Sequence, residues 1–272
     1  MEHLSIWKVL KESVAFTFSH KKVLGKLIVV PVLFAVLQVI GIFLPAPFNL
    51  CVISLGILGG FLAYSSWRTQ WIQHCVTPSK EVKLFELGSI QRKFLGYTLL
   101  WALLAMLVFV ACMLVSFLFV FIGSFTAEKF FPGATATFVR KFFVGATGAV
   151  AILPIFYWPL FLFIIRTLFM WPAISLGEAT GFKLSWRQTK GFSARLFGLF
   201  IVLWGIDMLM VMSPFLWIPF VSKPLSEPLL SGSLTTLMTF TTLMAFSVEI
   251  TGAILMFCLT KFYQHAVLSK KD

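Results

Sequence analysis

The stretch "LIVVPVLFAVLQVIGIFL" (27–44) carries no charge, and its apolar residues run on without alternating with polar ones. A membrane-crossing strand would alternate, one face toward lipid and the other toward a lumen. A continuous apolar run instead satisfies every backbone N–H and C=O within itself as an α-helix, which hydrocarbon demands. About 20 such residues, at about 1.5 Å each, cross the core of a bilayer.

The same pattern recurs along the chain. Six spans are expected, at about 23–44, 48–66, 95–123, 145–170, 196–220 and 234–260, forming one integral membrane domain over 1–272. Composition agrees: of 272 residues 59% are hydrophobic and 12% charged, and the mean hydropathy is +0.96. Soluble domains carry about 25% charged residues. The predicted class is therefore all-α and polytopic. The apolar run from Val23 exceeds the 7–15 residues typical of a cleaved signal, so it is expected to remain as the first span.

The basic residues orient these spans. Lys8, Lys11, Lys21, Lys22, Lys26, Arg68, Lys80, Lys83, Arg92, Lys93, Arg166, Lys183, Arg187, Lys190, Arg195, Lys261, Lys270 and Lys271 fall on one side. Only Lys129, Arg140, Lys141 and Lys223 fall on the other. The positive-inside rule then places both termini in the cytoplasm. It also accounts for the net charge of +12 without a nucleic-acid partner, since no basic patch stands apart from a span flank.

Three cytoplasmic segments look amphipathic. In "IWKVLKESVAFTF" (6–18), Trp7, Leu10, Val14 and Phe18 recur at helical spacing with Lys8, Lys11 and Glu12 off the stripe. "TPSKEVKLFEL" (77–87) is expected to open a helix, Thr77 capping it and Pro78 at its first position. "SLGEATGFKLSWRQTKG" (175–191) aligns Leu176, Ala179, Phe182 and Trp186, with Gly177 and Gly181 inside the expected helix. Aromatic and basic residues on opposite sides suit a helix lying in the interface, and equally an ordinary connector. "LKESVAFTFSH" (10–20) aligns with "LGEATGFKLSW" (176–186), and "RKFLGYTLLW" (92–101) with "RLFGLFIVLW" (195–204), which suggests an internal repeat of helical hairpins.

"WKVLKESVAF" (7–16), "KKVLGKLIVVPVL" (21–33) and above all "WPAISLGEATGFKLSWRQTKGFSARLFGLFIVL" (171–203) resemble the YciC-like six-span inner-membrane proteins. That group is similar to the membrane domain found beside some glycerophosphodiester phosphodiesterases. The resemblance implies a six-helix membrane fold and no assigned chemistry, and no catalytic residue is carried over.

Two acids interrupt late spans. Asp207 lies twelve residues after Arg195, and Glu249 twelve before Lys261, so both are expected about 18 Å from the cytoplasmic flank. Facing each other, they could share a proton or a cation, because two charged carboxylates at that depth are costly and repel. Alternatively they hydrogen-bond between helices, with Trp204, Ser213 and Thr251 nearby, or one of them pairs with a basic side chain. Lys26, Arg166 and Arg195 are expected at span ends, reaching headgroups as anchors or phosphate contacts. "GILGG" (56–60) and "GATGA" (145–149) offer small-residue faces that pack either within one chain or between copies.

Cys51, Cys75, Cys112 and Cys258 and the four histidines show no metal-ligand spacing, and no hydrolase arrangement emerges. No cofactor is implied. The expected role is a non-enzymatic membrane component whose partners are phospholipids, a second copy or another membrane protein. The alternative is a small transporter or channel subunit using Asp207 and Glu249.

Overall fold

The structure, a computed structural model, describes residues 5–79, 81–130, 158–178, 182–203, 205–206 and 229–268, with backbone alone at 117, 119–130, 229–241, 243 and 268. The described residues are all-helical, without a strand. In chain order the helices are α1 (Ile6–Ser19), α2 (Lys21–Ile42), α3 (Phe48–Val76) and α4 (Ser89–Phe130). Then come α5 (Trp158–Ser175), interrupted by a turn at 168–169, and α6 (Phe182–Gln188). A 3-10 turn, Thr189–Gly191, leads into α7 (Ser193–Leu203) and then α8 (Leu229–Leu268).

Five of the described helical stretches are long and apolar enough to cross a membrane: Lys21–Ile42, Phe48–Val76, Ser89–Ser116, Trp158–Ser175 and Met244–Val267. The multi-pass membrane character read from the sequence is thus visible in three dimensions. Of the expected span 196–220, the described residues reach only to 206, within and just beyond the apolar α7. Along the spans large apolar side chains point outward, among them Leu33, Leu50, Leu58, Leu103 and Met106. In lipid that is the solvated side.

The chain divides into two compact units, Met1–Gly96 with Leu168–Asp272, and Tyr97–Thr167. In the second, the indole Nε1–H of Trp101 donates to Thr167 Oγ1 (2.7 Å) and its ring stacks on Phe163. In the first, α2 and α3 form the main helical hairpin. Glycines set its seam. A Cβ on Gly41 would lie 2.7 Å from Ile53, one on Gly56 would meet Gln38, and one on Gly59 would enter the Phe34 ring. The small-residue face of 56–60 therefore packs within one chain. Its counterpart at 145–149 lies outside the described residues.

Two expectations need correction, those for Thr77 and Gly177. The helix that carries the expected second span runs ten residues beyond 66, to Val76. Residues 67–76 are too polar for hydrocarbon, but neighbouring elements of the same unit cover them. Thr77 opens no helix. It ends α3, at φ −131° and ψ 82° with its N–H on Gln73 C=O, and the described residues 81–88 carry no helix before α4 begins at Ser89.

Gly177 likewise does not lie within a helix but terminates one. At φ +78° it takes a left-handed conformation that favours glycine. The N–H of Glu178 bonds Ala173 C=O, and the N–H of Gly177 bonds Ile174 C=O, both at 3.0 Å. The two segments aligned in the suggested repeat differ at the same place. Lys11 occupies the aligned position in the first segment, and there α1 runs on unbroken to Ser19.

Candidate functional site

Ten consecutive residues of α3, Ser65–His74, are buried. With 3.6 residues per turn, that covers every face of the helix. Trp71 donates its indole N–H to Ala253 C=O of α8 (3.0 Å), and the Gln73 amide donates to Ser175 C=O at the end of α5 (2.9 Å). Phe16 of α1 meets Trp71 edge-on, with centroids 5.7 Å apart.

The segment 81–88 caps this stretch. The N–H of Lys83 donates to Gln70 Oε1 (2.9 Å), that of Glu86 to Ser66 Oγ (2.9 Å), and Lys26 Nζ to Val82 C=O (2.6 Å). Backbone groups outside regular structure thus find partners in side chains that would otherwise be buried unsatisfied.

His74 closes this region. It is 4% exposed, and neither ring nitrogen has a hydrogen-bond partner among the described residues. Its ring lies 5.1 Å from that of His20 at the α1–α2 joint, and it stacks on Trp71. Gln70, Gln73, His74, Glu81, Val82 and Glu86 line a cavity with space for about one water. Among the described residues no three His, Cys, Asp or Glu side chains are arranged to hold a metal ion.

One turn and a half before His74 lies a second polar group. Arg68 is 8% exposed, its guanidinium carbon 4.0 Å over the Tyr64 ring and 5.1 Å over the Trp67 ring. The guanidinium fits against α8 because residue 252 is glycine: a Cβ there would stand 2.7 Å from Arg68 Nη2. Glu249, one turn before Gly252 on α8, lies within electrostatic reach of Arg68 and Tyr64. Arg68 Nε and Glu249 Oε2 are both buried without a hydrogen-bond partner among the described residues.

The expected site residues therefore part ways. Asp207, with Trp204 and Ser213, lies outside the described residues, and with it the proposed carboxylate pairing. Thr251 bonds Ser247 C=O of its own helix. Lys26 uses one N–H to hold segment 81–88. Arg195 is half-buried, its guanidinium carbon 6.0 Å from the Phe192 ring centroid. Arg166, half-buried, belongs to the second unit.

Sequence reasoning grouped Arg68 with the flanking cations and so missed its place in a buried cluster. One signal was available. Arg68 sits among Tyr64, Trp67 and Trp71 at helical spacing, a run of aromatic faces suited to a guanidinium.

Compared with family models, with curated proteins and with solved structures, the chain gives no match in any of the three.

Proposed function

We propose that the chain is a non-enzymatic, multi-pass protein of a bacterial inner membrane, of the six-span YciC-like kind with both termini cytoplasmic, and that it acts through contact with phospholipid. The observation behind this reading is the way α1 is turned. Val9, Ser13 and Thr17 face the bundle, while Trp7 (69% exposed), Val14 and Phe18 (60% exposed) point away from it, with Lys8 and Lys11 also exposed. Val9, Ser13 and Thr17, with Phe16 against Trp71 and Phe257, do the docking, and Trp7, Val14 and Phe18 stay outside it. Such a stripe with ammonium groups beside it suits the boundary between acyl chains and anionic headgroups.

Fluorescence quenching tests this. The emission lost in Trp7→Phe reports Trp7, and in vesicles of brominated phosphatidylglycerol that component should be quenched. An unquenched Trp7 that instead crosslinks to protein would assign the stripe to a second copy or another membrane protein. The transporter reading is separated by flux in proteoliposomes, which Asp207→Asn and Glu249→Gln would abolish.

A further inference from the structure

We propose that Arg68 and Glu249 form a binding site for a phosphate–ammonium zwitterion at the α3–α8 crossing, with the phosphate on the guanidinium and the ammonium on the carboxylate. The site is separate from α1, so either proposal can fail without the other.

The faces of the Arg68 guanidinium are occupied by Tyr64 and Trp67, while Nε, on its edge, is buried and has no acceptor among the described residues. A planar fork of N–H donors matches the oxygens of a phosphate. One turn before Gly252, Glu249 Oε2 has no donor among the described residues, and an ammonium N–H would supply one. The donors thus lie against Gly252 and the acceptor one turn before it, on two helices whose register is set by the Trp71–Ala253 bond. Tyr64 and Glu249 are half-buried and Val248 is exposed, so the rim of the site reaches the surface while Nε and Oε2 themselves are buried.

The height of the pair along the bundle suits a headgroup. The α2–α3 seam brings Phe34 against Gly60. Eight residues further in the same antiparallel register, Lys26 stands level with Arg68. Large exposed apolar residues on α2 begin at Val29, and on α3 they stop at Phe61 until the last residue, Val76. Arg68 lies seven residues past Phe61, about 10 Å of helix.

The chemistry has two sources, a phosphatidylethanolamine headgroup or free phosphoethanolamine, and the experiment separates them. Purified full-length protein is equilibrated with chain-matched phosphatidylethanolamine and phosphatidylcholine, and the retained lipid is measured by native mass spectrometry. Phosphatidylcholine has the phosphate but no ammonium N–H. A preference for phosphatidylethanolamine of about tenfold is expected, the worth of one charge-assisted hydrogen bond. Glu249→Gln should remove that preference, and Arg68→Lys should weaken retention of both lipids. A free zwitterion would instead show as thermal stabilisation by phosphoethanolamine in phosphatidylcholine nanodiscs, lost in both variants. Equal retention of the two lipids with no phosphoethanolamine stabilisation overturns the site. So does a preference that survives Glu249→Gln.

Discussion

From Phe48 to Leu62, α3 turns Leu50, Leu55, Leu58 and Phe61 outward and meets α2 through glycines. From Ala63 to His74 it exposes almost nothing and buries Ser65, Ser66, Arg68, Thr69, Gln70, Gln73 and His74. One helix thus sorts its side chains in opposite ways. In the first part the solvent is lipid, so apolar groups can face out, and close packing rests on missing side chains. In the second, the neighbours are other elements of the unit, and buried polar groups are tolerated where those neighbours supply hydrogen-bond partners. The residue types follow the surroundings of each turn rather than a single inside-out rule.

Truncation should separate the halves most sharply. Trp71 is fully buried and hydrogen-bonded to α8. Trp71→Ala is expected to cost about 3–5 kcal/mol, whereas Leu58→Ala, on the lipid side, should stay within about 0.5 kcal/mol. Reversible unfolding in mixed micelles measures both, and equal losses would break the contrast.

Enlargement probes the other half. Gly56→Ala pushes a methyl group toward the Gln38 backbone and should cost about 1–3 kcal/mol. Gly60→Ala meets its nearest atom, Gln38 Nε2, at 3.5 Å and should be close to neutral. If Gly60→Ala proves the worse of the two, the seam is drawn wrongly.

Gln70→Ala removes the acceptor for the Lys83 N–H and should cost about 1 kcal/mol, with faster amide exchange at Lys83 while α2 amides are unchanged. Smallest of all, Phe18→Ser on the outward stripe of α1 should leave stability within about 0.5 kcal/mol.

Much of the lipid-facing architecture was legible in the sequence, because a continuous apolar run is a local property. Lys21–Ile42 lies within two residues of the expected 23–44 at each end, and the α1 stripe emerges as spaced. What was not legible depended on distant partners. Arg68 looks like the end of a span until Gly252 and Glu249 are brought beside it. Thr77–Pro78 resembles a helix start, but the acceptors at Gln70 and Ser66 engage the chain that follows as irregular backbone. Gly177 differs from Lys11 in the aligned segment by permitting a left-handed turn, and that single difference ends a helix. Glu249 stood out because a carboxylate in an apolar run is rare. The residue that answers it was hidden in a list of eighteen cations.

The Trp71–Ala253 bond joins residues 182 positions apart. At roughly 5–20 residues per second of synthesis, Ala253 emerges roughly 10–35 seconds after Trp71. During that interval the last turns of α3 are without their α8 neighbour. A nascent chain arrested before α8 should therefore be the form most readily captured by chaperones or membrane-quality-control proteases.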